Sequence, residues 1–236
     1  MVAASRSQKQ AARFAARRYA VLSLALITTI AAIMLLTPLM RLGQGIQILV
    51  SVPLIASLYT LSIDRRRTLA LAGAIAVLSV LAVRFALRGD IDLLIVDIGL
   101  RSAVVAAITW WIGVEVASEV RISLDTILGG ISIYLLLGFF YAHLYAMLEL
   151  ADTGALVTGG HPLGSLDEAH PFATLPSIIY YSYATLTTVA YGDITPATPL
   201  ARFLAMTEAM LGQLFPAIFI ARLVSLNVAQ TTRSKD

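Results

Sequence analysis

The feature that most constrains this chain is a succession of apolar stretches long enough to cross a lipid bilayer. A helix needs about 20 mainly apolar residues to span the hydrocarbon core. Six stretches qualify, at residues 20–40, 46–63, 68–87, 93–114, 126–148 and 200–226. Hydrophobic residues make up 58% of the chain and charged residues only 13%, whereas about 25% of an ordinary soluble domain is charged. The sequence therefore predicts an all-α integral membrane protein with six transmembrane helices.

The basic residues follow the pattern of a membrane topology signal, because lysine and arginine near helix ends are retained in the cytoplasm. They are Arg6, Lys9, Arg13, Arg17 and Arg18 before the first span, Arg65–Arg67 after the second, Arg121 after the fourth, and Arg233 and Lys235 after the last. This bias predicts a multi-pass protein of the plasma or inner membrane with both termini cytoplasmic: a basic N-terminus at 1–19 and a short tail at 227–236. The basic residues form no stripe with interleaved aromatics, so no nucleic-acid partner is expected.

The loop between the fifth and sixth spans contains an apolar segment that is too short to cross the bilayer. It reads "FATLPSIIYYSYATLTT" (172–188), with Pro176 where a first helical turn tolerates proline. It continues into "VAYGDITP", which is polar and contains glycine. Irregular backbone at membrane depth is tolerated only where it is buried in protein or lines a wet cavity. We expect a helix that enters the membrane, stops partway and returns as irregular backbone.

The segment "TLTTVAYGD" (185–193) resembles the potassium-channel signature, in which a short pore helix ends in Thr-Val-Gly-Tyr-Gly-Asp. "DTILGGISIYLLLGFFYAHLYAMLE" (125–149) is similar to the outer helix, and "PLARFLAMTEAMLGQLFPAIFIARLV" (199–224) to the inner helix, of the prokaryotic two-helix ion-channel superfamily. The resemblance implies a pore domain at 125–226 with a re-entrant helix and filter between helices 5 and 6. It also implies a homotetramer around one conduction path. Residues 20–118 form a four-helix transmembrane domain that matches no motif.

The resemblance also implies roles for individual residues. The groups expected to bind dehydrated K+ are the backbone carbonyls of Thr188, Val189, Ala190 and Tyr191, together with the Thr188 hydroxyl. Gly192 would allow a left-handed turn at the outer mouth, and Asp193, bonded by Tyr180, would anchor the filter. Glu208 is expected behind the filter as a structural hydrogen-bonding group, with proton sensing or gating as the alternative. Gly212 and Pro216 would let the inner helix bend.

Two residues depart from the family pattern. Ala190 stands where the family has glycine, and the positive φ expected there costs an L-residue about 1–2 kcal/mol. Ala184 stands where some relatives carry a glutamate. These departures leave three hypotheses open: a potassium-selective channel, a nonselective monovalent cation channel, and a non-conducting membrane protein that regulates another channel. The expected partners are the lipid bilayer and monovalent cations, without a cofactor.

The fourth span carries Arg101 alone, whereas a voltage sensor needs several regularly spaced arginines. We therefore expect weak or absent voltage gating. Asp97 and Arg101 are spaced i, i+4 and are costly inside a membrane, which predicts a buried ion pair. No phosphate-binding glycine loop, "HExxH" or "GxSxG" motif occurs, so the protein is not expected to be an enzyme.

Overall fold

The computed structural model describes residues 18–36, 51–57, 73, 77–78, 91–120, 122–163 and 174–233. The main helices among the described residues are α1 (Arg18–Leu36), α2 (Ile91–Ser118), α3 (Leu124–Ala151), α4 (Leu175–Leu186) and α5 (Pro199–Arg233). All except α4 are long and apolar enough to cross a membrane. These four helices confirm the predicted first, fourth, fifth and sixth spans.

The predicted second and third spans, at 46–63 and 68–87, lie largely outside the described residues. A helical segment at 51–57 is the longest described part of them. The count of six spans therefore stays a prediction, while the mostly helical membrane architecture is confirmed.

Helix α3 begins where Ser123 takes an extended conformation and accepts a hydrogen bond from the Thr126 N–H at 3.1 Å. A serine in this position satisfies one of the free N–H groups of the first turn. From there α3 runs through the centre of the bundle and packs against α1, α2, α4 and α5. Gly138 of α3 makes room for α4, because a Cβ at this position would meet the ring of Tyr183. Small residues at helix interfaces allow such close approach in membrane proteins.

The predicted ion pair in the fourth span is confirmed. Asp97 Oδ2 accepts a hydrogen bond from Arg101 Nε at 2.8 Å, and both side chains are buried. Arg101 also donates to the Ser51 hydroxyl at 3.0 Å. This arginine is therefore held by fixed partners inside the bundle.

A small antiparallel sheet lies at one end of the bundle, which we call the hairpin end. Its strands are β1 (Leu156–Thr158), β2 (His161–Pro162) and β3 (Ile194–Pro196), in the order β2-β1-β3. The buried Glu149 carboxylate accepts hydrogen bonds from the N–H groups of Gly154, at 2.9 Å, and Leu156, at 3.0 Å. The sequence predicted only a loop here, within an all-helical fold, so the sheet is an addition to that prediction. It ties the segment after α3 to the residues that directly follow Asp193.

At the opposite end of the bundle, ionic contacts join α1, α2 and α3. Arg18 of α1 lies 2.6 Å from the Glu115 carboxylate of α2 and 3.4 Å from Asp125 of α3. The Tyr19 hydroxyl donates to Glu115 at 2.8 Å. Four residues from three helices thus share one cluster, and α2 ends within one turn of it.

Arg222 of α5 caps the end of α2. Its guanidinium donates to the carbonyl of Val116 at 2.7 Å, to that of Ala117, and to that of Glu119 at 3.1 Å. The last carbonyls of a helix have no partner within the helix, and they carry partial negative charge that attracts a cation. Arg222 therefore links α5 to the end of α2.

We expect Arg222→Met to lower the free energy of unfolding by about 2 kcal/mol, since it removes charge-assisted hydrogen bonds to helix-terminal carbonyls. Arg222→Lys should recover only part of this loss, because a lysine ammonium lacks the planar fork that spans several acceptors. The measurement is the melting temperature of the purified protein in detergent.

The matched control is Arg202→Met on the same helix, where the guanidinium donates one bond, to the Pro196 carbonyl at 3.2 Å. Equal losses for Arg222→Met and Arg202→Met would contradict the special role of Arg222.

Candidate cation-binding site

Helix α4 is too short to cross a membrane. Its 12 residues, Leu175–Leu186, span about 18 Å, whereas the hydrocarbon core is about 30 Å thick. Pro176 lies in the first turn, as the sequence predicts. One face of α4 is buried against the bundle, and its carboxyl end leads directly into residues 187–193.

The backbone N–H groups that follow α4 are hydrogen-bonded to the last turns of α4. Thr188 N–H donates to the Thr185 carbonyl at 2.9 Å, and the N–H groups of Val189 and Ala190 both donate to the Ala184 carbonyl, at 3.0 and 3.1 Å. The free carbonyls at the end of α4 thereby gain partners. The carbonyls of this segment then remain as its acceptor groups.

The backbone conformation alternates along this segment. Thr188, Ala190 and Gly192 have φ of 58°, 44° and 81°, whereas Val189 and Tyr191 between them are not in the positive-φ region. Alternation of left- and right-handed conformations turns successive peptide groups to the same side, so that N–H groups form one concave row. The carbonyl oxygens of such an alternating segment are expected to form the complementary row, which is the arrangement that a cation site requires.

Ala190 holds its positive φ without the freedom of glycine. The left-handed conformation costs an L-residue about 1–2 kcal/mol, so the surrounding contacts must hold it. Beside Ala190 lies a cavity of about 220 Å³, lined by α4 residues that include Tyr180 and Ala184 and by the residues from Ala190 to Pro196. Two small residues, Ala184 and Ala190, thus line this cavity.

The structure brings Tyr180 and Asp193 together, as the family resemblance implies. Their side chains are hydrogen-bonded. The phenol has the proton to donate, and the carboxylate oxygen accepts it. This contact fixes Asp193 against α4 at the outer end of the alternating segment.

Glu208 lies behind α4, fully buried, at a point where three helices meet. Its Oε2 accepts a hydrogen bond from the Tyr145 hydroxyl of α3 at 2.8 Å. Its Oε1 lies 2.6 Å from the Ser182 hydroxyl of α4, which lies 2.8 Å from the Gly138 carbonyl. Glu208 thus links α5 to both α3 and α4.

The number of protons available around Ser182 indicates which protonation state of Glu208 satisfies these hydrogen bonds. A serine hydroxyl has one proton to donate, yet Ser182 has two oxygen neighbours at hydrogen-bond distance, Gly138 O and Glu208 Oε1. Both contacts are satisfied when Glu208 is the neutral acid and donates to Ser182, which then donates to Gly138. A charged carboxylate here would also lack a basic partner among the described contacts, at a high cost in a membrane.

Gly212 and Pro216 lie in a continuous helix, because α5 is helical from Pro199 to Arg233. A Cβ at Gly212 would overlap the carbonyl oxygen of Leu186, the last residue of α4. The same carbonyl accepts a hydrogen bond from the Tyr134 hydroxyl at 3.1 Å. Gly212 is thus a close-contact residue that holds α4 in place, and its role as a gating hinge stays a prediction.

Sequence reasoning missed three polar residues that contact this site. Tyr145 and Ser182 are the partners of Glu208, and Gln213 Nε2 donates to the Thr188 hydroxyl at 3.2 Å. All three are polar groups within apolar helices. Polar side chains at membrane depth are the signal that would have indicated them.

Comparisons with known proteins point to the same region. A family model described as an ion channel matches residues 129–229. Protein LctB of Bacillus caldotenax is 32% identical over 111 residues, which cover 47% of this chain and 79% of that protein. Protein LctB of Geobacillus stearothermophilus is 34% identical over 109 residues, covering 44% and 74%. Two pore potassium channel c of Oryza sativa subsp. japonica is 33% identical over 85 residues, covering 36% and 18%.

Substitution of Gly212 separates packing from hinge bending. We expect Gly212→Ala to lower the melting temperature, because the new methyl group would overlap the backbone at the end of α4, an overpacking cost of about 1–3 kcal/mol. A glycine that serves only as a hinge predicts the opposite change in stability, since alanine is the better helix former.

The control for this substitution is Gly113→Ala in α2, where an added Cβ would meet no atom of the described residues within 4 Å. Thermal unfolding in detergent compares the two variants. A Gly212→Ala protein as stable as Gly113→Ala would refute the packing role.

The network around Glu208 predicts that a neutral amide can replace the acid. We expect Glu208→Gln to keep stability near that of the parent protein, because its NH2 donates to Ser182 and its oxygen accepts from Tyr145. Glu208→Leu leaves the buried Tyr145 hydroxyl without this partner and should cost about 1–3 kcal/mol. Melting temperatures of both variants, beside Glu119→Leu at an exposed site, give the test. A Gln variant as unstable as the Leu variant would show that the site requires the carboxylate itself.

Proposed function

This chain belongs to the pore-loop ion-channel family, and we propose that it is a homotetrameric channel that conducts K+ passively through a filter formed by residues 188–192. The observation that carries the proposal is the backbone of this segment. Its N–H groups turn back onto α4, and its φ angles alternate in sign. A row of carbonyl oxygens formed in this way can replace the water around a dehydrated cation.

Exposed surface on the single chain supports assembly into an oligomer. In the most apolar 18-residue stretch of α5, only 6% of the residues are buried within the chain. The corresponding share is 33% to 50% in the other three helices that are long enough to span a membrane. The side chains of Val189 and Tyr191 are 50% and 74% exposed, although they follow a buried helix. One pore loop cannot surround an ion by itself, and four copies around an axis would cover these surfaces.

The direction of α4 favours a cation over an anion. A helix carries roughly half a negative charge at its carboxyl end, and α4 ends at Leu186, directly before the alternating segment. Four such ends aimed at one central cavity would stabilise positive charge there. The Thr188 hydroxyl, the carbonyls from Thr188 to Tyr191 and the turn at Gly192 complete the proposed filter.

The conformation of Ala190 favours a second candidate, a nonselective monovalent cation channel. Discrimination between K+ and Na+ depends on the spacing and number of carbonyl ligands. Strain at Ala190 would favour a filter that relaxes away from that spacing. A third candidate is a non-conducting subunit that regulates another channel, which predicts assembly without ion flux.

The four-helix domain is proposed to be a poor voltage sensor. Arg101 is bound to Asp97 and Ser51, so its charge has fixed partners rather than a path across the membrane. We propose a cell-membrane location with both termini cytoplasmic, which places the hairpin end outside and Arg222 near the cytoplasmic surface.

The test is the reversal potential of the purified protein in planar bilayers, with K+ on one side and Na+ on the other. We expect a value near the potassium limit. Ala190→Gly should leave the sign unchanged and should raise stability, since glycine reaches positive φ without steric cost. Ala184→Gly is the control, because Ala184 lines the same cavity but lies in regular helix.

A reversal potential near zero with robust current would instead identify a nonselective cation channel. Absence of current in the parent protein, with current after Ala190→Gly, would favour the non-conducting candidate.

A further inference from the structure

A side-chain amide of the inner helix reaches the first residue of the proposed filter. Gln213 Nε2 donates a hydrogen bond to Thr188 Oγ1 at 3.2 Å, and both residues are exposed on the single chain. Gln213 directly follows Gly212, whose contact with Leu186 brings α5 against the end of α4. The close approach of the two helices thus places the amide at the inner end of residues 188–192.

The membrane position of Gln213 indicates what it faces. It lies at the midpoint of the apolar part of α5, Pro199–Val228, and therefore near the middle of the bilayer. Its exposed neighbours Met210, Leu211 and Leu214 are apolar. A polar side chain at this depth is unfavourable in hydrocarbon and normally faces the bundle interior or water. The contact with Thr188 favours a water-filled space below the filter.

Hydrogen-bond counting shows what the amide does to the threonine. A threonine hydroxyl has one proton and two acceptor lone pairs. The Gln213 N–H occupies one lone pair and so fixes the orientation of the other. The carbonyl oxygen of the same amide is an additional neutral oxygen, a ligand type that suits hard cations.

We propose that Gln213 is a positioning residue for the cation site nearest the inner end of the filter, and that its amide oxygen adds a ligand for a partly hydrated monovalent cation there. The proposal rests on the proposed conduction pathway and deepens it. In a tetramer, four such amides form a polar ring directly below the four Thr188 hydroxyls. The strength of the innermost site then depends on residue 213 as well as on the filter backbone.

Potassium binding to the full-length purified protein tests this proposal without requiring flux. KCl is titrated by isothermal calorimetry into protein held in N-methyl-D-glucamine chloride. We expect Gln213→Leu to weaken K+ affinity about five- to tenfold, the effect of losing one ordinary hydrogen bond. Gln213→Glu should strengthen it, because a carboxylate at the same place attracts the cation.

A purely structural role does not predict opposite signs for these two variants. The matched control is Gln230→Leu, the same change on the same helix, where the amide contacts the Val120 carbonyl at 3.2 Å. Size-exclusion chromatography verifies that each variant assembles as the parent protein does.

Two outcomes separate the inference from the function on which it rests. Equal affinities for the parent protein, Gln213→Leu and Gln213→Glu would overturn the role of Gln213, even if the protein conducts K+. The expected affinity pattern in a protein that gives no K+ flux in liposomes would refute conduction and leave the cation site supported.

Discussion

The structure depends on one constraint, that backbone polar groups at membrane depth need partners. Helices meet it internally, but the segment after Leu186 is not helical. Its N–H groups meet it by bonding to the last carbonyls of α4, which satisfies both sets of groups at once. The carbonyls of residues 188–191 are then the groups left to bind something else. A dehydrated cation is the partner that such a row of oxygens fits.

Because the proposed filter at 188–192 is the continuation of α4, its position is set by the contacts that hold α4. Three of these contacts are distributed along the length of α4. Tyr180 is bonded to Asp193, Ser182 to the acid network of Glu208, and the Leu186 carbonyl rests against Gly212. Two of these contacts come from α5. The inner helix is therefore a structural support of the filter as well as a wall of the proposed pathway.

The sequence predicted those parts of the structure that follow from length, polarity or local motif. The four described spans, the short α4 and the Asp97–Arg101 pair are of this kind, since each depends on residues close together in the chain. The partners of Glu208 could not be predicted, because Tyr145 and Ser182 lie on other helices and their approach depends on tertiary packing. The sheet was missed for a different reason: strands of two or three residues have no periodicity to read, and Glu149 organises the turn before them. For Gly212 the sequence predicted a hinge. Its packing role could not be predicted, because it depends on the contact with Leu186 of another helix.

Helix α5 also has contacts at its far end, away from the proposed filter. Arg222 binds the end of α2, which is itself held by the cluster of Arg18, Tyr19 and Glu115. Between Arg222 and Gly212 the helix is continuous through Pro216, so no loop separates these two sets of contacts. The same helix carries Gly212, which lies against the end of α4, and Gln213, which donates to the Thr188 hydroxyl. Among the described residues, α5 thus connects the end of α2 with the start of the proposed filter through contacts of a few residues, in addition to the packing of α3 against α1, α2 and α4.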